Sequence, residues 1–485
     1  MRHITILFTI LWSLSLLHTY GQKPLYFHEG EFKIAQLTDI HWTPKSDNCA
    51  ETRRIILNVL TSERPDLVIL TGDIVTEKPA QKGWEDIIAI MEEAEIPFIV
   101  TMGNHDAEVY PKEQIYARLL RSPYYIGERG PEDITGYGNC VVPILSSDDK
   151  HTPAALLYCL DSNDYPTNNL LGEYDRIHFD QVAWYRSRSR HYTDANGGEP
   201  LPALAFFHIP LPEFRELKGD PKTYGLDNEG VAAAEINSGI MGSFLDMGDV
   251  MGVFAGHDHA NDYIGITRGV ALGYGRVSGL DGYSSLPRGA RIIRLYEGER
   301  KFDTHITTPE GAEAVYYYPS GINSQDEKEM KILPALSMNK GANGTAYTYY
   351  EGKCKSVADI PVCRKIREGT LPNISISGAT ADDYFAYEFR ALLDIPEDGV
   401  YRFYTRSDDG SVLYLDGQLV VDNDGGHSAR RAEGKVRLQK GLHLLRLLYF
   451  ESYMGQELKV GIIGRNLPET LIPKEMLFLP PGESR

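Results

Sequence analysis

The sequence predicts an α/β domain whose sheet is buried on both faces, followed by an all-β sandwich. Three observations predict it. Between about residues 30 and 300, short apolar runs alternate with helical patterns. Those runs are nearly continuous in apolar residues, the pattern of strands covered on both sides. From about residue 341 the period changes to two, with turn signals at short intervals.

In chain order, Ile34–Leu37 reads as the first strand, and Ile55, Ile56, Val59 and Leu60 as a helical stripe. Leu67–Leu70 is the second strand. Trp84, Ile87, Ile88 and Met91 follow i, i+3, i+4, i+7, which predicts an amphipathic helix. Phe98–Met102 is the third strand. Further strands are predicted at Ala155–Leu160, Leu204–Phe207, Val250–Ala255, Val270–Leu272 and Ala290–Tyr296. Residues 304–340 are polar and weakly periodic, and read as a linker between a domain over 22–303 and one over 341–478. In the second domain Phe385, Tyr387 and Phe389 alternate, as do Tyr401, Phe403 and Thr405. Asp409-Gly410, Asp416-Gly417 and Asp424-Gly425 mark its turns.

A length of 485 residues, with 42% apolar and 24% charged residues, fits a globular protein of two or three domains. A formal charge of −19 excludes a general nucleic-acid binder, because nothing would offset phosphate repulsion. Anionic substrates would need a local positive centre. Met1-Arg2-His3, the apolar run Ile4–Leu17 and the small residues Thr19 and Gly21 read as a signal peptide over 1–21. A secreted or periplasmic location is therefore expected. No later segment is long and apolar enough for a membrane span, so an integral membrane protein is not expected. Of five cysteines, Cys354 and Cys363 lie close together and are the best candidates for a disulfide. Cys159, inside an apolar strand, reads as a small core residue.

The residues after the strands carry the chemistry. Thr38-Asp39-Ile40-His41 follows the first, Thr71-Gly72-Asp73 the second and Gly103-Asn104-His105-Asp106 the third. His208 follows Leu204–Phe207, and Gly256-His257-Asp258-His259 follows Val250–Ala255. Ligands bind open α/β sheets at the carboxyl ends of strands. Each piece alone reads as a solvated turn or a core histidine. Five in order, each after a strand, do not. Carboxylate, imidazole and carboxamide together suit two divalent ions such as Mn, Fe or Zn. Asp73 is the natural bridge. Paired ions clamp the oxygens of an in-line displacement and lower a bound water's pKa to about 7. They would also supply the local positive charge.

These motifs resemble the calcineurin-like metallophosphoesterase superfamily over roughly residues 30–300. The resemblance implies a four-layer α/β/β/α sandwich. It implies one metal on Asp39, His41, Asp73 and His259, and a second on Asp73, Asn104, His208 and His257. His105 would stabilise developing charge or protonate the leaving oxygen. Asp106 or another acid would orient His105, and Asp258 would only shape its turn. Ala203–Pro210 and Gly256–Asp262 look like the short purple-acid-phosphatase-like group. Thr76 stands three residues after Asp73, where purple acid phosphatases place Tyr and calcineurin-type enzymes Asp. That departure speaks against an Fe(III)–tyrosinate centre.

Tyr349–Gly352, Tyr401–Phe403, Ser407–Ser411, Leu415–Gly417 and Val421–His427 resemble the protective-antigen-type β-sandwich. That resemblance implies a carbohydrate-binding module, with Asp408 and Asp409 holding calcium and with it a sugar. The competing reading is Asp-Gly hairpin turns without an ion. The expectation for the whole chain is an exported enzyme hydrolysing phosphate monoesters by attack of a metal-bound hydroxide. A phosphodiesterase or nucleotide pyrophosphohydrolase on the same site is the first alternative. A non-catalytic glycan-binding surface protein is the second.

Overall fold

The structure is a computed structural model and describes residues 24–220 and 222–482. The expected signal segment, 1–21, lies outside the described residues. The first domain contains two seven-stranded sheets. One runs Ile322–Asn323, Gly311–Tyr318, Phe302–Thr308, Ala290–Tyr296, Glu31–Leu37, Leu67–Thr71, Phe98–Thr101. The other runs Leu25–Tyr26, Cys140–Leu145, Pro153–Cys159, Ala203–Phe206, Val250–Ala255, Val270–Tyr274, Ile264–Thr267.

Strand periodicity explains the layering. Ile34, Leu67 and Ile69 point into the core shared with Leu204, Phe206 and Phe254 of the second sheet. Their neighbours Ala35, Leu37, Val68 and Leu70 point the other way. There they meet Ile56 and Val59 of the helix Cys49–Glu63, and Trp84, Ile87 and Met91 of the helix Ala80–Ala94. On the far side of the second sheet, Tyr185 and Phe244 of the helices Phe179–Ala195 and Ile240–Met247 cover Ala203, Ala205 and Val253. The result is four layers, α/β/β/α. Each central strand is apolar on both faces because each face has a core to fill.

The site-bearing strands run parallel within their sheets. Leu37 pairs in register with Leu70, and Leu70 with Val100. Phe206 pairs with Phe254 in the other sheet. Five carboxyl ends therefore emerge together at one edge of the sandwich.

The expected linker over 304–340 is corrected. Phe302–Thr308 and Gly311–Tyr318 are strands that extend the first sheet, with Phe302, Thr304, Ile306 and Tyr316 buried. The apolar signal was broken at Thr304, which occupies an inward position. Its hydroxyl donates to the Ile292 carbonyl at 2.7 Å, so a polar residue sits in the core satisfied. Farther on, Ile332–Leu333 pairs with Arg430–Leu438 of the second domain.

That domain is a β-sandwich. A five-stranded sheet contains Gly399–Asp408, Arg430–Leu438 and Glu457–Gly464, and faces a seven-stranded one around Phe385–Ile395 and Gly441–Glu451. Tyr387, Phe389, Phe403, Leu447 and Ile462 fill the space between. The Cys354 and Cys363 sulfurs lie 3.3 Å apart as free thiols. Cys159 is a buried core residue opposite Cys140. Among the described residues no helix is long and apolar enough to cross a membrane.

Candidate metal centre

The loops leaving the five strands are held in unusual conformations. Asp39, His41, Asp73 and His257 have φ of 51°, 47°, 51° and 81°, the left-handed region that side-chain-bearing residues seldom adopt. The packing leaves no room to relax. A Cβ on Gly72 would come within 2.5 Å of the His208 ring, and one on Gly103 would strike Asp73. Glycine is required at both positions by close approach of the loops.

Two side-chain clusters result, Asp39–His41–Asp73–His259 and Asp73–His208–His257, with ligating atoms within 4.8 Å of one another in each. Asp73 belongs to both. Its Oδ2 lies 3.7 Å from His41 Nε2 and 3.2 Å from His208 Nε2. Asp39 Oδ1 lies 3.3 Å from His259 Nε2. Asn104 Oδ1 lies 3.2 Å from His208 Nε2 and joins the second cluster. All seven sequence-predicted ligands are thus brought together.

The donor set fits divalent cations on its own geometry. His41 Nε2 faces His259 Nε2 at 3.1 Å, and His257 Nδ1 faces His208 Nε2 at 3.2 Å. His208 donates through Nδ1 to the Thr71 carbonyl at 2.8 Å, and His259 through Nδ1 to the Tyr283 carbonyl at 2.9 Å. Those bonds aim the remaining nitrogens at the clusters. Facing imidazole nitrogens with carboxylates between them repel or compete for one proton unless a cation joins them.

The electrostatics divide the histidines: burial lowers His41 and His257, whereas Asp39 and Asp73 raise His208 and His259 against it. Burial opposes the Asp39 charge, but His259 and His208 overcome it and hold the carboxyl down to about 2. Burial pushes His41 down to about 4, against the pull of Asp73. Burial and the neighbouring His208 push His257 down to about 3. Ionised carboxylates and neutral imidazoles are what metal ligation needs. Burial also opposes charge on His208, but Asp73 and Asp39 hold it up at about 10. It keeps a proton that a bound cation would displace.

Asp106 departs from expectation. It is fully buried. Its carboxylate accepts backbone N–H groups of Gly103 and Asp73 at 2.9 Å each, Ile74 at 2.8 Å and Val75 at 3.0 Å. Burial, with the Asp73 charge adding, raises it to about 6. Asp106 is a clamp joining two ligand loops, not a catalytic acid or the partner of His105. The His105 ring stands at the rim, and its Nδ1 meets Glu108 Oε2 at 3.0 Å. Sequence reading missed Glu108, although its position one helical turn after His105 was a usable signal. Tyr165 and Tyr283 were missed too, in loops with no periodicity. Asp258 accepts the Tyr274 hydroxyl and the Ala232 N–H, and so shapes its turn as expected.

A second acidic cluster lies in the β-sandwich. Asp408 and Asp409, joined by a cis peptide bond, converge with Glu451. Asp409 accepts N–H groups of His427 and Ser452, both at 2.8 Å. Both Glu451 carboxylate oxygens are buried without a hydrogen-bond partner. Burial, with Asp409 and Asp408 adding, raises Glu451 to about 8. Glu451 ends an apolar alternating strand, so nothing in the sequence marked it. Asp424, of the Asp424-Gly425 turn, accepts from the Ser356 hydroxyl and the Val357 N–H.

Comparison with known proteins agrees with both halves. The calcineurin-like phosphoesterase family matches residues 32–261, and the PA14 domain family matches residues 341–465. The chain is 31% identical over 297 residues to "Probable inactive purple acid phosphatase 29" of Arabidopsis thaliana, covering 54% of this chain and 76% of that protein. It is 32% identical over 277 residues to "Phosphatase DCR2" of Saccharomyces cerevisiae, covering 50% of this chain and 47% of that one. With the α/β/β/α sandwich and two clusters sharing Asp73, this chain belongs to the calcineurin-like phosphoesterase family and carries a PA14 domain after it.

Proposed function

We propose that the protein is an exported phosphatase that hydrolyses phosphate monoesters, and that its PA14 domain binds glycans through calcium. Asp39, His41, Asp73 and His259 would hold one divalent ion, and Asp73, Asn104, His208 and His257 the other. Bound there, such ions lower the pKa of a water to about 7 and hold the phosphoryl oxygens. The chain supplies the rest. Asp106 keeps the Asp73 and Gly103 loops in register. His105, 39% exposed at its side chain, stands where it can give a proton to the leaving oxygen. In the PA14 domain the unpartnered Glu451 carboxylate beside Asp408 and Asp409 favours a cation over plain turns. Export rests on the apolar run Ile4–Leu17.

The observation that supports the catalytic reading most is Asp73 Oδ2 set between His41 and His208, the place of a bridging ligand. The word "inactive" in the plant relative's name describes that protein. Here the complete ligand set favours turnover. The test is kcat/KM for aryl phosphate monoesters and diesters on protein loaded with Mn²⁺, Fe²⁺ or Zn²⁺, with metal counted by mass spectrometry. We expect two ions per chain and a monoester preference. Asp73→Asn should lose at least one ion and on the order of a thousandfold in turnover. A diester preference would make the protein a diesterase or pyrophosphohydrolase. Two bound ions with no turnover would leave a glycan-binding surface protein.

A further inference from the structure

A hydrogen-bonded chain runs along the rim of the metal centre. Asn104 Nδ2 donates to the Tyr165 hydroxyl at 2.9 Å. The Tyr165 hydroxyl donates to Glu108 Oε1 at 3.0 Å. Glu108 Oε2 accepts from His105 Nδ1 at 3.0 Å. The chain thus begins on a candidate ligand and ends on the residue placed to protonate the leaving group.

We propose that Tyr165 and Glu108 are positioning residues that together set the orientation of Asn104 and His105. The proposal rests on the phosphoesterase reading above. A carboxamide can present either its oxygen or its nitrogen, and only the oxygen ligates a cation. By accepting from Nδ2, the Tyr165 hydroxyl turns Asn104 Oδ1 toward His208 and the second cluster. The same hydroxyl proton goes to Glu108, so one phenol fixes both ends.

Glu108 needs that help. The His105 and Glu108 side chains are 39% and 45% exposed, and an exposed pair by itself holds little orientation. With one oxygen held by Tyr165, the other is left for His105. Giving Nδ1–H to Glu108 leaves the Nε2 proton for the substrate. As the attacking water's oxygen bonds to phosphorus and the ester P–O bond breaks, the pair of the broken bond stays on the leaving oxygen, which takes the Nε2 proton, while the water's own protons stay on the phosphate or pass to solvent. Tyr165 is itself 41% exposed, so its ring stands at the rim beside Asn104 and Glu108.

The two residues separate in experiment. Tyr165→Phe removes the Asn104 anchor and should weaken one of two Mn²⁺ sites roughly 10- to 100-fold in calorimetric titration, leaving the other unchanged. This readout needs no turnover. Glu108→Gln should leave both Mn²⁺ affinities unchanged. It should slow phenyl phosphate, a poor leaving group, roughly 30-fold, and dinitrophenyl phosphate less than about threefold, because only the first needs its oxygen protonated. Glu108→Asp should recover part of the phenyl phosphate rate. Unchanged Mn²⁺ binding in Tyr165→Phe would overturn the Asn104 half. Equal losses on both esters in Glu108→Gln would overturn the His105 half. If the wild-type protein binds two Mn²⁺ ions yet hydrolyses neither ester, the phosphatase reading fails, the His105 half falls with it, and the Tyr165→Phe titration still decides the Asn104 half.

Discussion

At the residue scale, neighbours in sequence do opposite work. His105 and Asp106 share one loop, but one faces solvent and the other is buried under four backbone N–H bonds. Removing Asp106 would orphan those donors at about 1–3 kcal/mol each, before any relaxation. Asp106→Ala should therefore lose folded signal and metal together, by circular dichroism and metal counting. His105→Ala should keep both ions and lose roughly a hundredfold or more in turnover of a poor leaving group. A His105→Ala protein that lost metal, or an Asp106→Ala protein that kept it, would reverse these roles. The contrast also shows what was legible. The convergence of all seven candidate ligands was readable, because each follows an apolar strand and the fold gathers strand ends. The direction of Asp106 was not, since a buried carboxylate serving backbone donors and an exposed one serving a histidine look alike in sequence. Tyr165 was unreadable because its partner is distant along the chain.

At the element scale, the instructive case is the pair of strands Phe302–Thr308 and Gly311–Tyr318. The composition shift after residue 303 reads as a domain edge, yet the sheet continues. Strand Phe302–Thr308 covers Ala290–Tyr296, which pairs directly with the site-bearing strand Glu31–Leu37. Phe302 meets Phe254 edge to face and stacks on Tyr318, so it also ties the two sheets together. Burying a residue of this size contributes about 2–3 kcal/mol, and truncation would forfeit several such contacts. A chain of residues 24–340 should melt cooperatively and bind two ions. A chain of residues 24–303 should be aggregated or molten by near-ultraviolet circular dichroism. A well-folded 24–303 protein would show that the added strands are dispensable. The central strands were legible because both faces are apolar. The added strands were not, because inward Thr304 hides the period.

At the scale of the whole molecule, two candidate cation sites sit in two different bodies. Between them lie the ion pairs Lys222–Glu433 at 3.5 Å, Lys435–Asp326 at 2.5 Å and Arg465–Asp303 at 3.8 Å, the pairing of Ile332–Leu333 with Arg430–Leu438, and a small buried cluster of Tyr317, Ile322 and Val400. Partly exposed pairs of this kind contribute about 0–1 kcal/mol each, and the shared cluster is far smaller than the core of either domain, so the two cores should remain separate cooperative units. Calorimetry should therefore show two transitions, with Mn²⁺ raising the first domain's and Ca²⁺ the PA14 domain's, each by mass action. Removal of residues 341–485 should leave small-ester hydrolysis largely intact. Glu451 adds a pH signature with a definite sign. Its folded carboxyl is raised from 4.5 to about 8 by burial and by Asp409 and Asp408. A raised acid favours the fold while protonated, so its contribution is complete below about pH 4.5 and is lost as pH climbs through about 8. Calcium at the proposed site would bind the ionised form and offset that loss. In chelator, the PA14 transition should fall between pH 5 and 8 by roughly 4 °C or more, and Ca²⁺ at pH 8 should restore it. Glu451→Gln should flatten the fall and abolish the Ca²⁺ response. If the variant kept both, the cation would lie elsewhere and the three acids would be a structural knot.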